Sequence, residues 1–483
     1  MDFAAFEYDR TFVIEALRRG AIDYLENISE AEEADLFRHL LGRVWERLAE
    51  HYPTPRQKEE VPIWLYIASQ ISLKLHDASD HAFPYVLRSG GLITALGPKV
   101  GRQAEHPDTH AVTLACEGFH DKNEFDRQTP CDQDFLRKLA RDTQPGRLHD
   151  WFNREVPRCL RSLKLFDAEG LFLGDASYVF VPDNENYEDS VKLLFDEHHH
   201  PVNSQEVDLP DPRYQWRRCY KVVSLIHVNR ELNLFLTVAA RVVAGNRHEC
   251  PILYELVDDF VKAVDRGWMK VLVVDRGLID GANMARLKTA YHIDTVVPLR
   301  KNMNASQDMM GLTRLKDFAW EPDETPRAKP AKSPDRPKPL RIVKRELKRQ
   351  QTLAAKKGLP PPQSLPQPAA PMPSHAFGYS ARSDSWTECT VPLTAVVNRE
   401  IDPDGNTDHW ILVTTSSSFK APHIRSTYAL RTAIQERPRQ YKCFGIWPRC
   451  PRASFPWSSI QCSSCYWLIR CCRPICFCAT GSR

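Results

Sequence analysis

The stretch from residue 250 to residue 300 constrains the fold of this 483-residue chain more than any other. It reads ILYELVDDFVKAVDRG, then MKVLVVDRG, then MARLKTAYHI, then DTVVPLR. In the first piece Leu253, Leu256, Phe260 and Val264 share one face of a helix. The second is a short β-branched run, as expected of a strand buried on both sides. The third is helical again and the fourth is another strand. Upstream, GLFLGDASYVF and YKVVSLIHVNRELNLFLTVAARVVAG supply three more strand-like runs. Ala168-Glu169-Gly170 lies as a turn between apolar runs and predicts a hairpin or adjacent strands there. The order β–β–β–α–β–α–β predicts an α/β domain with a mixed sheet.

Five segments follow from composition. Residues 1–150 read as a helical N-terminal domain, from three- and four-residue apolar spacing in VIEALRRGAIDYL and ADLFRHLLGRVWERL, with Ser29 and Glu32 suiting a capping box. Residues 151–310 hold the first part of the α/β domain. Residues 311–385 form a basic, proline-rich insertion, expected to be partly disordered, with RIVKRELKRQ between two proline-rich runs. Residues 386–442 resume with the strands CTVPLTAVVNREI and HWILVTTSS, so the insertion interrupts one domain instead of dividing two. Residues 443–483 form an aberrant tail.

Charge and apolar content exclude some classes. The formal net charge is +3, so any nucleic-acid surface must come from local clustering. No run of eighteen apolar residues predicts a membrane helix, and the amino terminus lacks a signal-peptide pattern, so a cytoplasmic location is the expectation. Six of the 14 cysteines are scattered singly between Cys116 and Cys389, as expected of buried thiols in a reducing compartment. There is no G-x-x-x-x-G-K-[ST], H-E-x-x-H or G-x-S-x-G motif, against an NTPase, a zincin and a typical esterase. Asp196-Glu197-His198-His199-His200 looks metal-like, but three consecutive histidines point different ways, which favours a polar loop.

Asp275 ends the strand VLVVD and is followed by Arg276-Gly277. A carboxylate at a strand's carboxyl end faces the crevice where α/β sheets usually carry their sites. Asp175 has a similar setting after LFLG. Two such aspartates could share Mg²⁺, which prefers carboxylate oxygens, waters and substrate phosphates. Further on, YALRTAIQERPRQYK fits the pattern Y-x2-R-x3-E-x6-K, with Gln435 in the acidic place and Glu436 beside it. Tyr428, Arg431 and Gln435 fall on one helical face, and Lys442 lies two turns beyond. Tyr and Arg donate to phosphate oxygens and Lys adds a point charge. The competing reading is a solvated basic helix.

Together these pieces resemble bacterial insertion-sequence transposases of the DD(E) class, in the subgroup with a Tyr-Arg-Glu-Lys third motif. The resemblance spans roughly residues 150–442, carried by GLFLGDASYVF, by VLVVDRGLIDGANMARLKTAYHIDTVVPLRKNM, and by YALRTAIQERPRQYK. It implies a ribonuclease-H-like catalytic domain with a mixed sheet and a strand-containing insertion before the third motif, beside the helical N-terminal domain. Asp175 and Asp275 would be metal-binding aspartates holding Mg²⁺ or Mn²⁺. Gln435 stands where the third carboxylate belongs. Glu436 could substitute only if the helix shifts, since one residue rotates a side chain by about 100°. Tyr428, Arg431 and Lys442 would grip phosphates, with Arg276 nearby. Implied partners are DNA, as terminal inverted repeats and target, and a second copy as a homodimer on DNA. The location would be the bacterial cytoplasm, at the nucleoid when DNA-bound, with no membrane partner. Alternatives are a catalytically inactive DNA-binding remnant and an unrelated ribonuclease-H-like nuclease.

The tail after Phe444 contains no Asp or Glu and has no periodicity. The candidate zinc set within it, Cys462, Cys465, Cys471, Cys472, Cys476 and Cys478, is irregularly spaced and lacks histidine, which disfavours a structural zinc. Restoring one nucleotide after the Phe444 codon permits an apolar helical ending, so the tail is expected to be frameshifted translation. Pro438, inside the expected helix, costs it a hydrogen bond and about 3 kcal/mol.

Overall fold

A computed structural model describes the chain mainly over residues 133–314, 374–381, 385–401 and 407–431, with shorter stretches within 46–70, at 102–105, at 112–115 and at 320–322. The expected helices before residue 46, the proline-rich body of the insertion, Gln435, Glu436, Lys442 and the whole tail lie outside the described residues.

The elements in chain order begin with α1 (Glu46–Glu50), β1 (Arg102–Glu105), β2 (Val112–Ala115), α2 (Gln133–Asp142) and α3 (Pro145–Ser162). Next come β3 (Leu171–Val181), β4 (Val191–Phe195), β5 (Gln215–Asn229), β6 (Leu234–Ala244) and α4 (Glu249–Val264). After these come β7 (Val271–Val273), α5 (Gly281–Tyr291), β8 (Asp294–Pro298), α6 (Asn304–Gly311), β9 (Glu321–Pro322), β10 (Ser374–Ala381), β11 (Leu393–Ile401) and β12 (Thr407–Thr414). Residues 421–431 are helical and are called α7. The expected alternation of strands and helices between residues 171 and 298 is therefore observed, with β4 as an unforeseen addition. The N-terminal segment is not wholly helical: β1 and β2 pair antiparallel, with Arg102 opposite Ala115.

The chain divides into two compact units. The first holds residues up to Leu272, and the second holds Val273–Ala290 and Asp294–Glu436.

In the first unit β3 pairs antiparallel with β5 along its whole length, from Leu171 opposite Val228 to Val181 opposite Arg218. The other edge of β5 is shared: β4 covers its first residues and β6 its remainder. β7 neighbours β3, and the main-chain N–H of Val271 donates to Gly170 O at 3.1 Å. Gly170 has φ +59°, and a Cβ there would meet Trp268 O at 2.6 Å, so only glycine fits this turn. No strand precedes that turn, contrary to the expected hairpin. α3 runs to Ser162, and Leu165 and Phe166 are buried in the loop that follows. The Asp167 carboxylate closes the turn, accepting from Gly170 N at 3.2 Å and Arg230 N at 2.9 Å.

α3 lies along the free edge of β6. Asn153 Oδ1 accepts from Ala240 N at 2.8 Å, and His149 Nε2 accepts from Val242 N at 3.2 Å. Edge N–H groups that would otherwise be buried without partners are thus satisfied by helix side chains. Arg158 and Arg161 at the end of the same helix donate to the last carbonyls of α4, Ala263 O at 3.3 Å and Val264 O at 2.9 Å. Cys159, Cys219, Cys250 and Cys389 are all buried free thiols. Burial pushes Cys159 and Cys219 up to about 11, so they stay protonated and inert. The histidine run forms a polar turn, with Asp196 Oδ1 accepting from His198 N at 2.9 Å and His200 N at 2.7 Å.

In the second unit the strands run β8-β12-β11-β10-β9, each pair antiparallel. Val296, Val297, Val396, Val397, Leu412 and Val413 are fully buried in it. β9 and β10, at the two ends of the insertion, pair with each other, Glu321 opposite Ala376. The insertion thus leaves and re-enters one sheet.

Candidate active site

Five residues carry β7 into the loop that matters. Val271 to Val274 are fully or almost fully buried apolar residues, and the chain then reaches half-buried Asp275 and exposed Arg276. The Val274 N–H donates to Val296 O at 3.0 Å, so regular pairing continues to the residue before the aspartate. Asp275 then leaves the strand as the cap of a short 3₁₀ turn, Arg276–Leu278. Its Oδ1 accepts the Arg276 N–H at 2.8 Å. The strand-end carboxylate predicted from VLVVD is present as expected.

The helix of the third motif supplies the counterpart. Arg431 places a guanidinium nitrogen 3.1 Å from Asp275 Oδ2; its side chain is 11% exposed and that of Asp275 is 37% exposed. Tyr428, one turn earlier, shares a side-chain hydrogen bond with Arg431. Burial pushes the Tyr428 phenol above its ordinary range, and the Asp275 carboxylate adds to this while Arg431 and Arg276 oppose it. Tyr428 is therefore a neutral O–H donor at physiological pH. Asp275, Arg276, Tyr428 and Arg431, singled out from sequence as two separate motifs, come together in the second unit.

What holds α7 in place was not legible beforehand. Arg425 is buried, and its guanidinium donates to Asn398 Oδ1 at 3.2 Å and to Glu400 Oε1 at 3.0 Å. Trp410 Nε1 donates to the same Glu400 oxygen at 3.2 Å. The Arg425 guanidinium also lies over the Trp410 ring, 5.3 Å from its centre, and Trp410 meets the Tyr428 ring at 5.8 Å. A charge-assisted network on β11 and β12 thus fixes the helix one turn before Tyr428. Sequence reasoning missed Arg425, although its spacing of three residues before Tyr428 puts it on the adjoining face.

Asp175 sits on β3 in the first unit, half-buried, opposite Ser224 on β5. The Ser224 hydroxyl donates to the Asp175 carbonyl at 3.4 Å. Gln435, Glu436 and Lys442 lie outside the described residues. Among the described residues no three His, Cys, Asp or Glu side chains are grouped to hold a metal ion.

A buried-strand carboxylate, an arginine against it and a protonated tyrosine beside both make a site suited to phosphate esters, on a mixed α/β framework. Residues 189–437 match the Transposase DDE domain, and the chain belongs to that family. This family carries out polynucleotidyl transfer on DNA and generally uses divalent metal ions. The matched range starts beyond Asp175 and includes Asp275, Tyr428, Arg431, Gln435 and Glu436. No curated protein matches the chain. No described helix is long and apolar enough to cross a membrane.

Proposed function

We propose that this chain is a DNA transposase of the insertion-sequence type with a Tyr-Arg-Glu-Lys third motif. It cleaves at terminal inverted repeats and then joins the freed 3′-hydroxyl to target DNA. The observation that carries this reading is the Asp275–Arg431–Tyr428 constellation inside the matched family segment. The strand order β6-β5-β3-β7, with three antiparallel strands before α4, supports a ribonuclease-H-like domain.

Asp175 and Asp275 are proposed to hold the divalent ion, Mg²⁺ or Mn²⁺. Their carboxylates are the hard oxygen donors such ions take. When bound, the ion would activate the attacking water or hydroxyl and stabilise the leaving oxygen. The rest belongs to the side chains. Arg431 and Arg276 bind non-bridging phosphate oxygens, Tyr428 donates its O–H, and Lys442 adds charge. Glu436 or Gln435 contributes the third oxygen ligand, and two copies act together on the DNA.

A second reading, a DNA-binding remnant without cleavage, is favoured by one observation: Gln435 stands in the acidic position, and a neutral amide is a weak metal ligand. Nicking of inverted-repeat duplexes with Mg²⁺ or Mn²⁺ separates the two. Transposase activity predicts metal-dependent nicks from the chain itself or from Gln435→Glu, and none from Asp275→Asn. DNA binding with no nicking by either chain establishes the remnant. Metal-dependent cleavage indifferent to the inverted repeats would point to a plain nuclease.

A further inference from the structure

The positive charge around Asp275 does not end with the third motif. Arg300 lies just after β8, in the same unit, and its Nε donates to the carbonyl of Arg276 at 3.0 Å. One peptide unit therefore separates this guanidinium from the residue that carries the strand-end carboxylate. Its main chain is fixed on both sides. The Leu299 N–H continues the β8–β12 pairing with a 2.9 Å bond to Ile411 O, and Arg300 O accepts from Met303 N at 3.1 Å in the turn before α6. The residue is nevertheless exposed, so a guanidinium whose Nε is anchored stands at a solvent-accessible position. That is a preorganised fork for an oxyanion, since an arginine so tethered loses little rotamer freedom on binding.

The charge count points to the ligand class. Arg431 pairs with the Asp275 carboxylate, Arg276 follows Asp275 in the chain, and Arg300 reaches the Arg276 carbonyl. The neighbouring cation Lys301 is different: its ammonium lies 3.2 Å from Asp408. Three guanidinium groups against one carboxylate leave a local excess of two positive charges, which a phosphodiester strand would neutralise.

We propose that Arg300 is a further DNA-contacting residue, binding a backbone phosphate next to the one that reacts at Asp275 and bracing the Asp275 turn through the Arg276 carbonyl. The proposal rests on the transposase reading and deepens it. The test is the salt dependence of binding by the full chain to a long duplex of mixed sequence, followed by fluorescence anisotropy over a KCl series. Each phosphate contact contributes about 0.9 to the slope of log K against log salt. Arg300→Ala and Arg300→Gln should each flatten the slope by about one and weaken binding at low salt. Arg300→Lys should keep the slope. Lys301→Ala should behave as wild type. Gln can still donate to the Arg276 carbonyl, so its variant separates charge from bracing. The proposal is overturned if Arg300→Gln keeps the wild-type slope while Arg431→Ala loses a contact, because Arg300 is then only a brace. It is equally overturned if Lys301→Ala flattens the slope as much, since the effect is then diffuse surface charge. If neither Arg300→Gln nor Arg431→Ala changes the slope, the phosphate role of the whole site falls with it.

Discussion

Both oxygens of Asp275 have defined partners, the Arg276 N–H and the Arg431 guanidinium, and this shapes what a substitution there does. Asparagine keeps an oxygen to accept from Arg276 and removes the charge facing Arg431. That ion pair is partly open to solvent, so Asp275→Asn should change folding stability by about 1 kcal/mol or less. On the proposed role of Asp275 as a metal ligand, losing its carboxylate removes several kcal/mol of transition-state stabilisation, which lowers strand cleavage by about a thousandfold. Urea unfolding next to a cleavage assay checks the contrast. A large loss of stability with cleavage reduced only in proportion to folded protein would place Asp275 in the framework instead. Arg425 is the opposite kind of residue. Arg425→Met strands Glu400 and Asn398 in a buried setting, and breaking such a pair costs about 3–5 kcal/mol. The urea midpoint should fall accordingly, and an unchanged midpoint would mean that the network does not seat α7.

The elements that were legible are those whose pattern is set by burial. β7 is three apolar residues, buried without exception, and its VLVV run could not be mistaken. α4 shows one apolar stripe, and β5 and β6 are long β-branched runs separated only by residues 230–233. β4 was missed because VKLLF is only five residues long and is flanked by acidic and histidine-rich segments that read as loop. The Arg425 network was illegible for another reason. A buried arginine and a surface arginine look alike in a sequence, and only the tertiary partners Asn398, Glu400 and Trp410 tell them apart. The same holds for α3 and β6, whose contact depends on a helix asparagine meeting a strand N–H. Asn153→Ala should leave the Ala240 N–H buried without its acceptor, at a cost of about 1–3 kcal/mol. Amide hydrogen exchange reads the effect directly: β6 protection should drop in this variant. Equal protection in both proteins would show that the helix does not secure that edge.

At the scale of the molecule, the acid sensitivity of folding follows from two buried imidazoles in the first unit. His149 is lowered from 6.5 to about 4 by burial, with Arg241 adding to the shift. His227 is also lowered from 6.5 to about 4 by burial, against the opposing pull of Asp167 and the Leu171 carbonyl. Each is held neutral by a backbone N–H that donates to its Nε2, from Val242 and from Asp167 respectively. Protonating either ring would turn that acceptor into a donor facing a donor. The folded pKa lies below the unfolded one, so the unfolded chain takes up the proton first. The stabilising contribution is therefore complete above pH 6.5, falls as pH drops from 6.5 to about 4, and changes no further below that. One pKa unit corresponds to 1.36 kcal/mol, so each histidine removes about 2 kcal/mol by pH 5 and about 3 kcal/mol by pH 4. Asp259 works the other way, since burial raises its pKa and the native state then gains protons first. Urea midpoints at pH 7.5, 6 and 5 should fall steadily in the wild type. In a His149→Gln, His227→Gln double variant, glutamine can still accept the two N–H bonds without titrating, and the decline should flatten by about 4 kcal/mol at pH 5. A double variant that loses stability with acid as steeply as the wild type would assign the sensitivity to carboxylates elsewhere in the chain.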